Sequence, residues 1–173
     1  RGPSPKDQAV FNRSLSGKDE PYRLGPDSQQ RADMPRGTIT VHHWRSPKVY
    51  PGTERDYWLY VPRQYEPSKP ACLMVLQDGP TYLSAEIAAP TVFDNLIHAG
   101  DMPVTLGLFV NPGDRGPGTP FYGGSDNRSF EYDSLSDQYA RLLIEELIPE
   151  VSKEYAITPN PEGRAICGLS SGG

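Results

Sequence analysis

The sequence predicts an α/β fold, a mostly parallel sheet entered through an antiparallel hairpin and flanked by helices, and three observations predict it. Two continuously apolar runs, Ala71-Cys72-Leu73-Met74-Val75-Leu76 and Val104-Thr105-Leu106-Gly107-Leu108-Phe109-Val110, have the character of strands covered on both faces. Between them lies an amphipathic segment, as a strand, helix, strand crossover requires. Ahead of them stand two β-branched and aromatic stretches separated by a turn dipeptide.

Taken in order, residues 1–36 are polar, Pro-spaced and aperiodic, which reads as an extended arm or linker whose Tyr22, Leu24 and Met34 could dock on the domain. The domain is expected from Gly37 to Gly173. Gly37-Thr38-Ile39-Thr40-Val41-His42-His43-Trp44-Arg45 and Arg55-Asp56-Tyr57-Trp58-Leu59-Tyr60-Val61 are expected to form an antiparallel hairpin around Pro51-Gly52. Pro90 to Ala99 carries Val92, Phe93, Leu96 and Ile97 on one helical face, with Pro at its start and Gly100 just past its end. Asn111 to Asp133 exceeds the ~12 to 15 residues normal for a structureless connection. It follows a strand C-terminus, where open α/β sheets place ligands, so it either lines the substrate pocket or is a solvated excursion. Ser134-Leu135-Ser136-Asp137 has capping-box spacing, and Leu135, Tyr139, Leu142, Leu143 and Leu147 follow at helical intervals until Pro149.

Composition bounds the function. The 173 residues suffice for one domain of ordinary size. With 36% hydrophobic residues and a mean hydropathy of -0.59, the core must come from a few dense segments. A net charge of -5 with no basic stripe argues against nucleic acid as a partner. No apolar run approaches the ~18 residues of a membrane span. Arg1 is not an initiator Met, so the N-terminus reads as processed or cut. Cys72 opens one strand and Cys167 closes another; in a parallel pair they would lie at opposite ends, too far apart for a disulfide, and both read as core thiols. The scattered carboxylates and the absence of His-x-x-x-His or Cys-x-x-Cys spacing imply no metal, and no cofactor is called for.

The chemistry concentrates in the last stretch, Arg164-Ala165-Ile166-Cys167-Gly168-Leu169-Ser170-Ser171-Gly172-Gly173, a short strand running into G-x-S-x-G. With 17 Gly in the chain that motif can arise from composition alone, so the strand before it and the small residues after it carry the argument. In a nucleophile elbow the Ser stands on a strained strand-to-helix turn, and side chains two residues to either side would collide across it. Gly168 and Gly172 meet that demand.

Four separated pieces are together similar to one family: Leu76-Gln77-Asp78-Gly79, Asn127-Arg128-Ser129-Phe130-Glu131-Tyr132, Glu145-Glu146-Leu147-Ile148-Pro149 and Gly168-Leu169-Ser170-Ser171-Gly172-Gly173. From about Gly37 onward the chain resembles the enterochelin esterase-like branch of the α/β-hydrolases. The resemblance implies a serine carboxylesterase with an α/β-hydrolase sheet, incomplete at the C-terminus here. Relatives act on siderophore trilactones, on feruloyl and acetyl esters of plant polysaccharides, and on acylglutathione or mycolyl esters. It implies Ser170 as nucleophile and the Ser171 amide as one oxyanion donor, with a second from the loop after Gln77. Pro80 has no N–H, so Gly79 or Thr81 must supply it. Asp78, Tyr82, Arg128 and Glu131 are the implied substrate-side residues. Arg128 and Glu131 would be either a pair that holds the long loop or a surface salt bridge.

A Ser nucleophile needs a general base. The three histidines, His42, His43 and His98, fit poorly: the first two lie in the hairpin, away from the strand ends that carry the elbow, and the third ends a surface helix. In α/β-hydrolase order the acid and the His follow the nucleophile, so both are expected beyond Gly173, and this chain is expected to show little or no turnover. The competing readings are a ligand-binding domain that kept the fold without the triad, and an acyltransferase using the same acyl-enzyme.

Overall fold

The computed structural model describes residues 24–114 and 127–173. A five-stranded sheet organises them, in the order β1 (Thr38–Arg45), β2 (Glu54–Val61), β4 (Thr105–Val110), β3 (Cys72–Gln77), β5 (Arg164–Cys167). Strand β1 pairs antiparallel with β2, so that His43 faces Asp56 in register. Strand β2 pairs antiparallel with β4, which is parallel to β3. On the far side of β3 lies β5, also parallel, with Leu76 opposite Cys167. That register places the loop after Gln77 beside the turn after Cys167.

The doubly covered strands are as their composition requires. Leu73, Val75, Leu106, Leu108 and Val110 point to one face, against Leu143, Leu147 and Val151. Leu76 and Phe109 point to the other, against Tyr82, Phe93 and Ile97. The second face is covered by α1 (Gly79–Leu83) and by α2 (Ala89–Ala99), which ends at Gly100 as its sequence indicates. Alternate residues of one strand thus enter two cores, which is why the runs show no polar alternation. Cys72 and Cys167 are both free thiols, partly exposed and not fully in the core.

The helical cover of the first face is less regular than its spacing suggests. After α3 (Arg128–Tyr132) come α4 (Gln138–Arg141), a π-helical stretch (Leu142–Leu147) and α5 (Ile148–Val151), in direct succession. Pro149 lies inside this run instead of ending it. It lacks the N–H that an i→i−4 ladder would need, and the wider register immediately precedes it. The expected capping box does not form. The Ser134 hydroxyl donates to the Phe130 carbonyl, Asp137 makes no side-chain cap, and Leu135 is fully exposed. Leu135 therefore belongs to the turn and not to the apolar face.

Two buried acids tie loops to this frame. The Glu146 carboxylate accepts from the Ser46 hydroxyl at 2.7 Å and from the Lys48 and Val49 N–H groups at 2.9 and 2.7 Å, holding the β1–β2 connection. Asp94 of α2 accepts from the Gly37 N–H and the Tyr60 hydroxyl. Asn95 beside it donates to the carbonyls of Asp27 and Gln29, around a 3-10 turn (Pro26–Ser28). Residues 24–36 are thus held against α2 through backbone carbonyls, while Leu24 and Met34 are only partly buried; Tyr22 lies outside the described residues.

Candidate active site

Strand β5 ends at Cys167, and the chain turns sharply through Gly168 and Leu169 into a 3-10 turn over Ser170–Gly172. Ser170 has φ 56°, a left-handed conformation that costs a non-Gly residue about 1 kcal/mol or more. Its side chain is exposed. The turn is so tight that a Cβ on Gly168 would land on the Gly172 carbonyl. These are the features the motif demands: a strained Ser at a strand end, with close backbone approach where glycine stands.

Directly across from it, Asp78 also takes a left-handed conformation, at φ 56°, and opens α1. A Cβ on the following Gly79 would stand 2.7 Å from the Phe109 carbonyl carbon and 2.9 Å from the Val110 nitrogen, so the loop can lie on β4 only with glycine there. The Thr81 N–H donates to the Asp78 carbonyl at 2.9 Å and is consumed by the turn. Among the described residues no acceptor takes the N–H of Gly79 or of Ser171.

The four residues expected on the substrate side separate into two groups. Asp78 receives a two-pronged bond from Arg128, Nε to Oδ1 at 2.8 Å and Nη2 to Oδ2 at 2.7 Å. Arg128 Nη2 also reaches the Leu169 carbonyl at 3.5 Å. The bond to Asp78 raises the Arg128 pKa further. Glu131, in contrast, does not pair with Arg128. It is 2% exposed, and its carboxylate accepts from Arg55 at 2.8 and 3.0 Å, from the Gly113 N–H and from the Asn127 side chain. Glu131 therefore pins the two ends of the long connection, where the Asn127 N–H also donates to the Gly113 carbonyl. Residues 115–126 of that connection, expected to line or lid the pocket, lie outside the described residues. Tyr82 likewise is no lining residue. It is 6% exposed among Phe93, Ile97 and Phe109, with its hydroxyl 3.4 Å from the Cys167 thiol, and burial first of all pushes its pKa up to about 12.

Arg55 is the residue that sequence reasoning missed. Its signal was the alternation of β2, in which Arg55, Tyr57 and Leu59 share the buried face. A cation on that face needs an anion, and Glu131 is the one that meets it.

Two open cavities lie at this end of the sheet, and the second borders the elbow. One, of about 690 Å³, runs from Asp78, Pro80 and Thr81 across to His43, Glu54 and Asp56. The other, of about 470 Å³, lies against Gly168, Ser171, Tyr132 and Tyr139. The first corrects the placement of His43: antiparallel pairing carries it to the same end of the sheet as the C-termini of β3, β4 and β5. It is still separated from β5 by three intervening strands. His43 bonds Asp56 at 2.9 Å with Glu54 at 3.4 Å, and the Asp56 bond raises its pKa above 6.5. His42 stacks on Tyr57, and His98 is exposed at the end of α2, near the opposite ends of the parallel strands. Among the described residues no cluster of ligating side chains could hold a metal ion.

A family model described as "Putative esterase" matches residues 49–173. The chain belongs to this esterase family. Among curated proteins no sequence matches it. Among solved structures, this chain is similar to a CE1 ferulic acid esterase from the anaerobic fungus Anaeromyces mucronatus. That match has TM-score 0.67 and 19% identity, covering 87% of this chain and 56% of that one. It is also similar to the ferric enterobactin esterase of Salmonella typhimurium, with TM-score 0.66 and 19% identity, covering 90% and 35%. The enterobactin esterase of Shigella flexneri matches with TM-score 0.62 and 17% identity, covering 87% and 34%. At these identities the likeness is one of fold, that of the α/β-hydrolase esterases. The chain spans about half the length of the first of these structures, and less of the others.

Proposed function

We propose that the full-length protein is a serine carboxylic ester hydrolase of the enterochelin and feruloyl esterase type, working through an acyl-enzyme on Ser170. The observation that carries the reading is the exposed Ser170 hydroxyl at φ 56° on a turn closed by the Gly168–Gly172 approach, inside an esterase family domain. Ser170 Oγ attacks the ester carbonyl and its proton passes to the base; the oxyanion is received by the N–H groups of Ser171 and Gly79. Gly79 is preferred over Thr81 because the Thr81 N–H is already spent on Asp78. Loss of the alcohol leaves the acyl-enzyme, which water then hydrolyses.

The base and its orienting acid are supplied from outside these 173 residues. His42 and His43 stand on the far edge strand and His98 at the opposite end of the sheet, so none is placed to take the Ser170 proton. The names of the similar structures suggest aromatic acyl esters or siderophore lactones as the first substrates to try.

The test is fluorophosphonate labelling and turnover of p-nitrophenyl, feruloyl and catecholate esters by the full-length polypeptide. Labelling and turnover are expected, and both should vanish in Ser170→Ala. Turnover that survives Ser170→Ala rejects the nucleophile. Robust, Ser170-dependent hydrolysis by residues 1–173 alone would reject an external base and bring one of the three histidines into service.

A further inference from the structure

Arg128 reaches both the loop after β3 and the turn after β5. Its guanidinium grips the Asp78 carboxylate with two parallel bonds at 2.8 and 2.7 Å, and one of the same nitrogens lies 3.5 Å from the carbonyl of Leu169, the residue before Ser170. The face of Tyr132, 5.3 Å away, backs the guanidinium. Asp78 needs such a hold. It is a non-glycine residue in the left-handed region, and the peptide that leaves it carries the Gly79 N–H. The direction of that N–H follows from the Asp78 backbone. The direction of the Ser171 N–H follows from the elbow that begins at Leu169.

We infer that Arg128 is a positioning residue that keeps the Asp78–Gly79 peptide and the Leu169–Ser170 elbow in mutual register, so that the two oxyanion donors converge on one point. The inference rests on the ester-hydrolase reading given above and adds to it a link between the two donor segments. It reassigns Arg128 and Asp78 from substrate contact to support of the site. A planar fork is required for this: a Lys ammonium can satisfy the charge of Asp78, but cannot hold both carboxylate oxygens while pointing a third donor at Leu169. Because the pair keeps its side chains 30% and 20% exposed, charge alone would be partly screened, and the geometry of the fork carries the effect.

The experiment compares Arg128→Lys, Arg128→Ala and Asp78→Asn in the full-length protein, with Arg141→Gln as control. Arg141 makes a similar fork to Glu145, in solvent and away from the elbow. Expected for Arg128→Lys and Asp78→Asn is a fall in kcat of roughly 10- to 100-fold, the scale of a small misplacement of catalytic groups, with KM within about twofold. Affinity for a trifluoromethyl ketone, which forms a tetrahedral adduct on the serine, should fall in parallel. The double variant should be little worse than either single one. Guanidinium ions should restore part of the kcat of Arg128→Ala, which keeps the test informative should that variant be loosely folded. Arg141→Gln should match the wild type. A wild-type kcat in Arg128→Lys, or a rise in KM alone, would overturn the inference while leaving the esterase reading intact. A wild-type protein that neither turns over esters nor forms the ketone adduct would overturn that reading first.

Discussion

At the level of single residues, Ser170 holds its hydroxyl in solvent at the cost of a left-handed backbone. Strain of this kind is released by glycine, so Ser170→Gly should raise stability by about 1 kcal/mol while abolishing labelling, which thermal melting and fluorophosphonate capture check together. Gly168→Ala works the other way. The added methyl meets the Gly172 carbonyl, and a loss of ~1 to 3 kcal/mol or more is expected, with the elbow distorted. His43 offers a titration test. Its folded pKa is raised by the Asp56 bond, so the stabilising contribution is full below pH 6.5 and is lost as pH rises through the raised value. NMR titration should give a His43 midpoint above 6.5 that drops in Asp56→Asn; an unchanged midpoint would dismiss the pairing as the cause.

At the level of elements, the loops are anchored by acids that no hydropathy pattern marks. Glu131 and Arg55 are both inaccessible to solvent, so removing one partner leaves a buried, unpaired charge. Glu131→Ala should cost about 3 to 5 kcal/mol, whereas replacing both partners with apolar residues should cost less than Glu131→Ala alone. Denaturant melting of the two variants makes the comparison. Glu146 does related work for the β1–β2 connection, and its three bonds connect residues about a hundred positions apart in the chain. Sequence spacing identified the helical run that carries Glu146 by its leucines and was silent about that carboxylate's role, while α3, which carries Glu131, fell inside the expected long connection. It also misjudged Leu135, because a capping-box pattern records local options, and here the Ser134 hydroxyl bonded backward to Phe130 instead.

At the level of the whole molecule, β5 is an edge strand among the described residues, paired only with β3, and Ile166 and Leu169 on and beside it are 58% and 52% exposed. An uncovered strand edge with apolar side chains recruits other strands. Residues 1–173 are therefore expected to self-associate, and Ile166→Lys to reduce that association in sedimentation velocity; an unchanged association state would show that this edge is not the contact.

The alternation of apolar strands with amphipathic helices, the hairpin turn and the elbow glycines were all legible in order along the chain, because each depends on spacing within a few residues. The partners of Arg55, Arg128 and Glu131, the burial of Tyr82 and the arrival of His43 at the elbow end of the sheet were not. Each depends on which strands become neighbours, and a charge finds its counter-charge across the sheet only once β2, β4, β3 and β5 have assembled in that order. Local periodicity is written in adjacent residues, whereas electrostatic pairing at short range is settled by distances that the folded backbone alone creates.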